Sequence, residues 1–168
     1  VANTFFRKRE LEQAKEGYLK IYECQDTTDE KWVKNFINAN LNLGILDQKL
    51  DNTKEALDSL FKIEPLIQEK GTSRQKYIYY QNIGLIFDDL LDYQKGLDYL
   101  NKALKVEDNS DKMKMSAYYN KMNIFEATKQ IDSSNAMKKI LLNNLNSVNR
   151  NQKFNILGAH VGDLIVEN

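Results

Sequence analysis

The sequence predicts an all-α fold, a solenoid made by stacking antiparallel helical hairpins. Three observations predict it. One proline, Pro65, and seven glycines punctuate 168 residues, too few breakers for a loop-rich or all-β chain. Apolar residues recur close to helical spacing, as at Leu97, Leu100, Leu104 and Val106. Two segments also repeat: residues 41–61, LNLGILDQKLDNTKEALDSLF, and residues 81–101, QNIGLIFDDLLDYQKGLDYLN, align on Gly44 and Gly84 at a 40-residue interval. In that register Asn42 falls on Asn82, Ala56 on Gly96 and Leu60 on Leu100. A hairpin of this kind cannot bury its apolar face alone, whereas stacking it on the next one makes a continuous core.

Breaks at Gln25–Thr28, Asp51–Asn52, Gly71–Thr72, Asp92, Asp108–Ser110, Asp132 and 149–151 divide the chain into helices. These run over about 1–9, 11–24, 29–49, 53–70, 73–91, 93–107, 111–130, 133–149 and 151–167. Asn52 with Glu55 reads as a capping pair and Thr72 with Gln75 as a capping box. The turns are short, so consecutive helices are expected to be antiparallel neighbours. Gly44, Gly84, Ala56 and Gly96 are expected where helices cross closely, since mid-helix glycine otherwise costs about 1 kcal/mol against alanine. The 40-residue interval continued from Gly96 reaches Ala136, while Ala14 lies 42 residues before Ala56. The expected organisation is one domain over 1–168, with repeats at about 1–26 (partial), 29–71, 73–108, 111–149 and 151–168 (partial).

These residues resemble the tetratricopeptide repeat, W-x2-LG-x2-Y followed by A-x3-F, A and P. Over 77–108, Tyr80 stands for the first aromatic, Ile83-Gly84 for the LG pair and Phe87 for the tyrosine. Gly96, Leu100 and Ala103 stand for the alanine, phenylalanine and second alanine, and Asp108 departs from the proline. Leu43-Gly44, Ala56, Leu60 and Ile63 match in the preceding unit, while Ile124 replaces the glycine in the following one. Leu157-Gly158 and Val161 match again near the end, and Ala2 to Tyr22 is similar to the "GN-x2-F-K-K" form. The period resembles that of the long-helix class found in bacterial signalling and regulatory proteins. The resemblance implies a right-handed superhelix with a concave groove that binds a protein or peptide. It also places Val1 and Ala2 inside a repeat, so a fragment of a longer protein is expected.

Chemistry-bearing constellations are scarce. Lys and Arg total 24, matching 24 Asp and Glu; this balance argues against nucleic acid and against a polybasic membrane surface. No run approaches the length of a membrane span. His160 is the single histidine and Cys24 the single cysteine; neither has a base or co-ligand in view, so no metal and no cofactor is expected. Adjacent Asp88 and Asp89 point to different helix faces. A non-enzyme is therefore expected. A cytoplasmic location is favoured, and a periplasmic one fits an exported or membrane-anchored sensor.

By the resemblance, the first helix of each hairpin lines the groove. Its positions are Asn38, Leu41, Asn42 and Ile45, then Ile78, Gln81, Asn82 and Leu85, then Lys121 and Phe125. Leu41, Ile45, Leu85 and Phe125 are the expected hydrophobic anchors. The amides of Asn38, Asn42, Gln81 and Asn82 can pair with both N–H and C=O of an extended peptide, or with their own neighbours in the stack. A carboxylate clamp is excluded because Ile78 and Asn82 occupy its basic positions. The alternative roles are a sensor or regulatory segment of a bacterial histidine kinase or transcription regulator, and an oligomerisation spacer, including a homodimer.

Overall fold

The computed structural model describes residues 17–18, 29–50, 52–108 and 110–147. Its described residues are helical, with seven α-helices and no strand among them. The expected helices at 1–9 and 151–167, most of 11–24, and also Cys24 and His160 lie outside the described residues. The chain divides into two compact units, residues 1–109 and 110–168.

In the first unit, α1 (Glu30–Lys49) begins at Asp29, whose carboxylate accepts the Lys31 N–H at 2.8 Å. Two helices follow, α2 (Thr53–Lys62) and α3 (Glu64–Lys70), where the periodicity predicts one helix over 53–70. The break has a chemical cause. Pro65 has no N–H to continue the ladder, so it sits at the start of a new helix. The Ile63 N–H closes α2 on Leu60 O at 3.2 Å. Asn52 does precede α2, but its side chain makes no capping bond; its N–H donates to Asp47 O instead, at 2.8 Å.

The expected capping box at Thr72 is present and opens α4 (Ser73–Asp89). The Thr72 hydroxyl accepts the Gln75 N–H at 3.3 Å, and Gln75 Oε1 accepts the Thr72 N–H at 3.0 Å. Asp92 caps α5 (Tyr93–Lys105) through the Lys95 N–H. In the second unit, Ser110 caps α6 (Asp111–Ala127), and α7 (Ile131–Ser147) returns along it.

The three hairpins share one turn. Asn52, Asp92 and Gln130 each donate an N–H to the carbonyl five residues back, at 2.8, 2.9 and 2.8 Å. Leu91 and Lys129 both take left-handed φ, 60° and 57°, and lie 38 residues apart. The turn therefore fixes the register of the third hairpin two residues short of the 40-residue extrapolation. Ser134, not Ala136, is the counterpart of Gly96: its N–H bonds to Gln130 O just as Gly96 bonds to Asp92 O and Ala56 to Asn52 O. Ser134 is buried and Ala136 is exposed. By the same register Ile124 matches Ile86, and Met122 stands where Gly84 stands in the previous hairpin.

The first unit's core joins Val33, Ile37 and Leu41 of α1 to Ala56 and Leu60 of α2 and to Tyr79, Ile83 and Ile86 of α4. The glycines sit where helices cross. A Cβ at Gly44 would stand 2.9 Å from Leu60 Cγ, and one at Gly84 3.0 Å from Leu100 Cγ and 3.2 Å from Gly96 O. In the second unit, Met115, Met122 and Leu141 form the core under Tyr118, Tyr119 and Met137.

Candidate functional site: the face of α1 and α4

Three side-chain bridges join α1 to α4 in a regular ladder. Gln75 Nε2 donates to Lys34 O at 3.1 Å and to Asn38 Oδ1 at 2.9 Å. Asn82 Nδ2 donates to Leu41 O at 3.3 Å. Gln48 Nε2 donates to Asp89 Oδ2 at 2.6 Å. The rungs advance by seven residues on both helices: 34, 41, 48 against 75, 82, 89. Seven residues are close to two helical turns, so each rung returns to the same side of its helix. The matched advance means that α1 and α4 run parallel, which places the first helices of two successive hairpins side by side.

The ladder sorts the sequence-derived residues. Leu41 is 2 % exposed and belongs to the core; it is not an anchor presented on a surface. Asn82 is 6 % exposed and is committed to the Leu41 carbonyl. Asn38 is exposed, with its amide oxygen engaged by Gln75. Asn42 is half-buried and donates to the Tyr18 hydroxyl at 3.1 Å. Burial holds the Tyr18 hydroxyl pKa above its ordinary value, with the Asn42 bond acting in the opposite direction. The asparagines that recur at 40 residues are thus both used within the protein. Ile45, Ile78, Gln81 and Leu85 are half-buried, and Ile78 also packs on the core.

Lys121 and Phe125 lie on α6 of the second unit, and the turn register changes their assignment. They correspond to Ile83 and Phe87, residues of the helix packing, and not to Gln81 and Leu85. Lys121 is half-buried with its Nζ 5.9 Å from the Phe125 ring centroid, and burial lowers its pKa. The counterparts of Ile78, Gln81, Asn82 and Leu85 are Ser116, Tyr119, Asn120 and Asn123, which the 40-residue extrapolation missed. The paired left-handed turns at Leu91 and Lys129 are the signal that finds them. Asn120, the counterpart of Asn82, keeps a buried Nδ2 without a hydrogen-bond partner.

The opposite side of α4 packs an aromatic cluster. Phe87 stacks on Tyr99 with centroids 5.7 Å apart, and Tyr80 meets Tyr79 edge-on at 5.3 Å. Burial raises the Tyr79 hydroxyl pKa most, and the neighbouring Glu64 carboxylate adds to it. Tyr80 and Tyr99 are therefore packing residues. Asp88 is raised by burial and then by its neighbour Asp89. Among the described residues no group of three His, Cys, Asp or Glu side chains could hold a metal ion. No described helix is long and apolar enough to cross a membrane. No family model, curated protein or solved structure matches the chain.

Proposed function

We propose that this chain is a non-catalytic peptide-binding scaffold of tetratricopeptide type, its hairpins continuing as a right-handed solenoid. The observation that supports it is the seven-residue ladder between α1 and α4. By fastening two first helices in parallel, the ladder makes a two-helix floor of fixed width. Ile45, Ile78 and Leu85 supply partly accessible apolar surface on that floor, beside the Gln81 amide. A rigid floor lowers the ordering cost of binding, and apolar anchors flanked by an amide suit an extended or helical peptide.

The test is a peptide selected on the immobilised chain from a random library, then titrated against Ile45→Ala/Leu85→Ala. Truncating two anchors of this size is expected to weaken binding about tenfold or more, with the melting transition retained. A peptide that binds the double variant as tightly as the parent, for every sequence selected, refutes the groove.

A further inference from the structure

A second surface lies on the other side of α4. Ser73, Lys76 and Tyr80 follow one another at three- and four-residue steps, so they share one side of the helix, turned away from Ile78, Gln81 and Leu85. The end of α5 brings Lys102, Lys105 and Val106 to the same place, with Glu107 after them. These seven residues line an open cleft of about 370 Å³ within the first unit.

The cleft is rich in donors and poor in acceptors. Three ammonium groups face one carboxylate, and among the described residues none of these lysines is ion-paired. Lys102 Nζ is 4.3 Å from the Tyr99 ring centroid and 6.0 Å from that of Tyr80, so two aromatic faces hold the ammonium at the wall of the cleft. The Tyr80 hydroxyl accepts Gln68 Nε2 at 2.8 Å, which leaves its own O–H to donate.

Lys102 and Lys105 have a structural account, because cations suit the last turn of a helix. Lys76 has none. It follows the first turn of α4 close to the positive helix end, after Arg74, and no acid occupies that turn. An anion in the cleft would neutralise an arrangement that is otherwise repulsive.

We propose that this cleft binds an acidic segment of a partner protein, its carboxylates paired with Lys76, Lys102 and Lys105. No arginine contributes a bidentate fork, so the site reads charge density more than the geometry of a single phosphate. Its open shape admits a passing chain, and Val106 gives that chain an apolar contact. This surface is separate from the α1–α4 floor and does not rest on the groove.

The experiment is a fluorescence-anisotropy titration of the whole chain with a labelled deca-glutamate peptide and its deca-glutamine counterpart. Saturable binding of the glutamate peptide alone is expected, weakening as salt rises from about 50 to 300 mM because Lys102 and Lys105 are solvent-exposed. Lys76→Gln/Lys102→Gln/Lys105→Gln is expected to lose about tenfold in affinity, and Lys102→Gln alone about threefold. A charge-matched control, Lys31→Gln/Lys54→Gln/Lys62→Gln, is expected to stay within about twofold of the parent. Circular dichroism checks that each variant folds, and the single variant decides if the triple one does not. Absence of saturable binding by the parent overturns the proposal, as does an equal loss in the control. Complete displacement of the peptide by about 1 mM inorganic phosphate also overturns it, assigning the cleft to a free anion.

Discussion

Asn82 donates its Nδ2 to the backbone carbonyl of Leu41 at 3.3 Å, from the middle of α4 to the middle of α1. Asn82 is 6 % exposed, so water does not compete for this bond. It is the central rung of the ladder, and it gives Asn82 a role in ordering the stack. Asn82→Leu should lower unfolding free energy by about 1 kcal/mol, the usual net value of one such bond. Asn82→Asp should cost more, since a buried carboxylate would face a carbonyl oxygen. Urea unfolding of the two variants checks the order.

Gln75 serves two purposes, closing the capping box and bridging to Lys34 O and Asn38 Oδ1. Gln75→Ala should therefore destabilise more than Thr72→Ala, for which a lost cap predicts about 1 kcal/mol. Equal losses in denaturant titrations would show that the bridge to α1 contributes nothing.

Gly84→Ala should destabilise by about 1–3 kcal/mol even though alanine favours a helix, because overpacking exceeds the propensity gain. The cost should exceed that of Gly44→Ala. The three atoms nearest a Cβ at Gly44 all belong to the flexible Leu60 side chain, whereas at Gly84 they include the rigid Gly96 carbonyl oxygen. Thermal melts of the two variants give the comparison.

Leu91 holds a φ of 60° and is 68 % exposed. A branched side chain is strained there and gains little from packing. Leu91→Gly should stabilise by about 0.5–1 kcal/mol, net of the extra unfolded-state freedom of glycine. A loss of stability on calorimetry would contradict this account of Leu91.

In the second unit, Lys138 Nζ lies 2.9 Å from Glu126 Oε1. That hydrogen bond holds the Glu126 carboxyl below its ordinary value of 4.5, with Ser134 assisting. A lowered folded-state pKa gives stability that is full above the unfolded value and lost as pH falls through the folded one. The Tm difference between the parent and Glu126→Gln should thus be present at pH 7 and shrink as the pH falls through and below the ordinary carboxylate range. The pair is partly exposed, so the difference will be small.

How much the sequence revealed depended on which interactions were local. Thr72–Gln75 and the close crossing at Gly84 could be read directly, because a cap and a small residue opposite a leucine are patterns within one hairpin. The break at Ile63 could have been read from Pro65, but an unbroken apolar periodicity concealed it. The third hairpin slipped by two residues because a small-residue template selects Ala136 over Ser134. Its turn sets the register instead, through a lysine in a conformation that favours glycine. One residue of the ladder, Asn82, was visible through its recurrence with Asn42. Their partners were not: the rung from Asn82 ends on a backbone carbonyl, which carries no sequence signal, and Asn42 pairs with the distant Tyr18.

The parallel floor of α1 and α4 is the surface proposed to receive a peptide. The most direct test is hydrogen–deuterium exchange of the chain with and without a library-selected peptide. Protection concentrated on 41–49 and 78–89, with α2 and α5 unchanged, is the result expected. Protection confined to α2 and α5, or absent at saturating peptide, would contradict it.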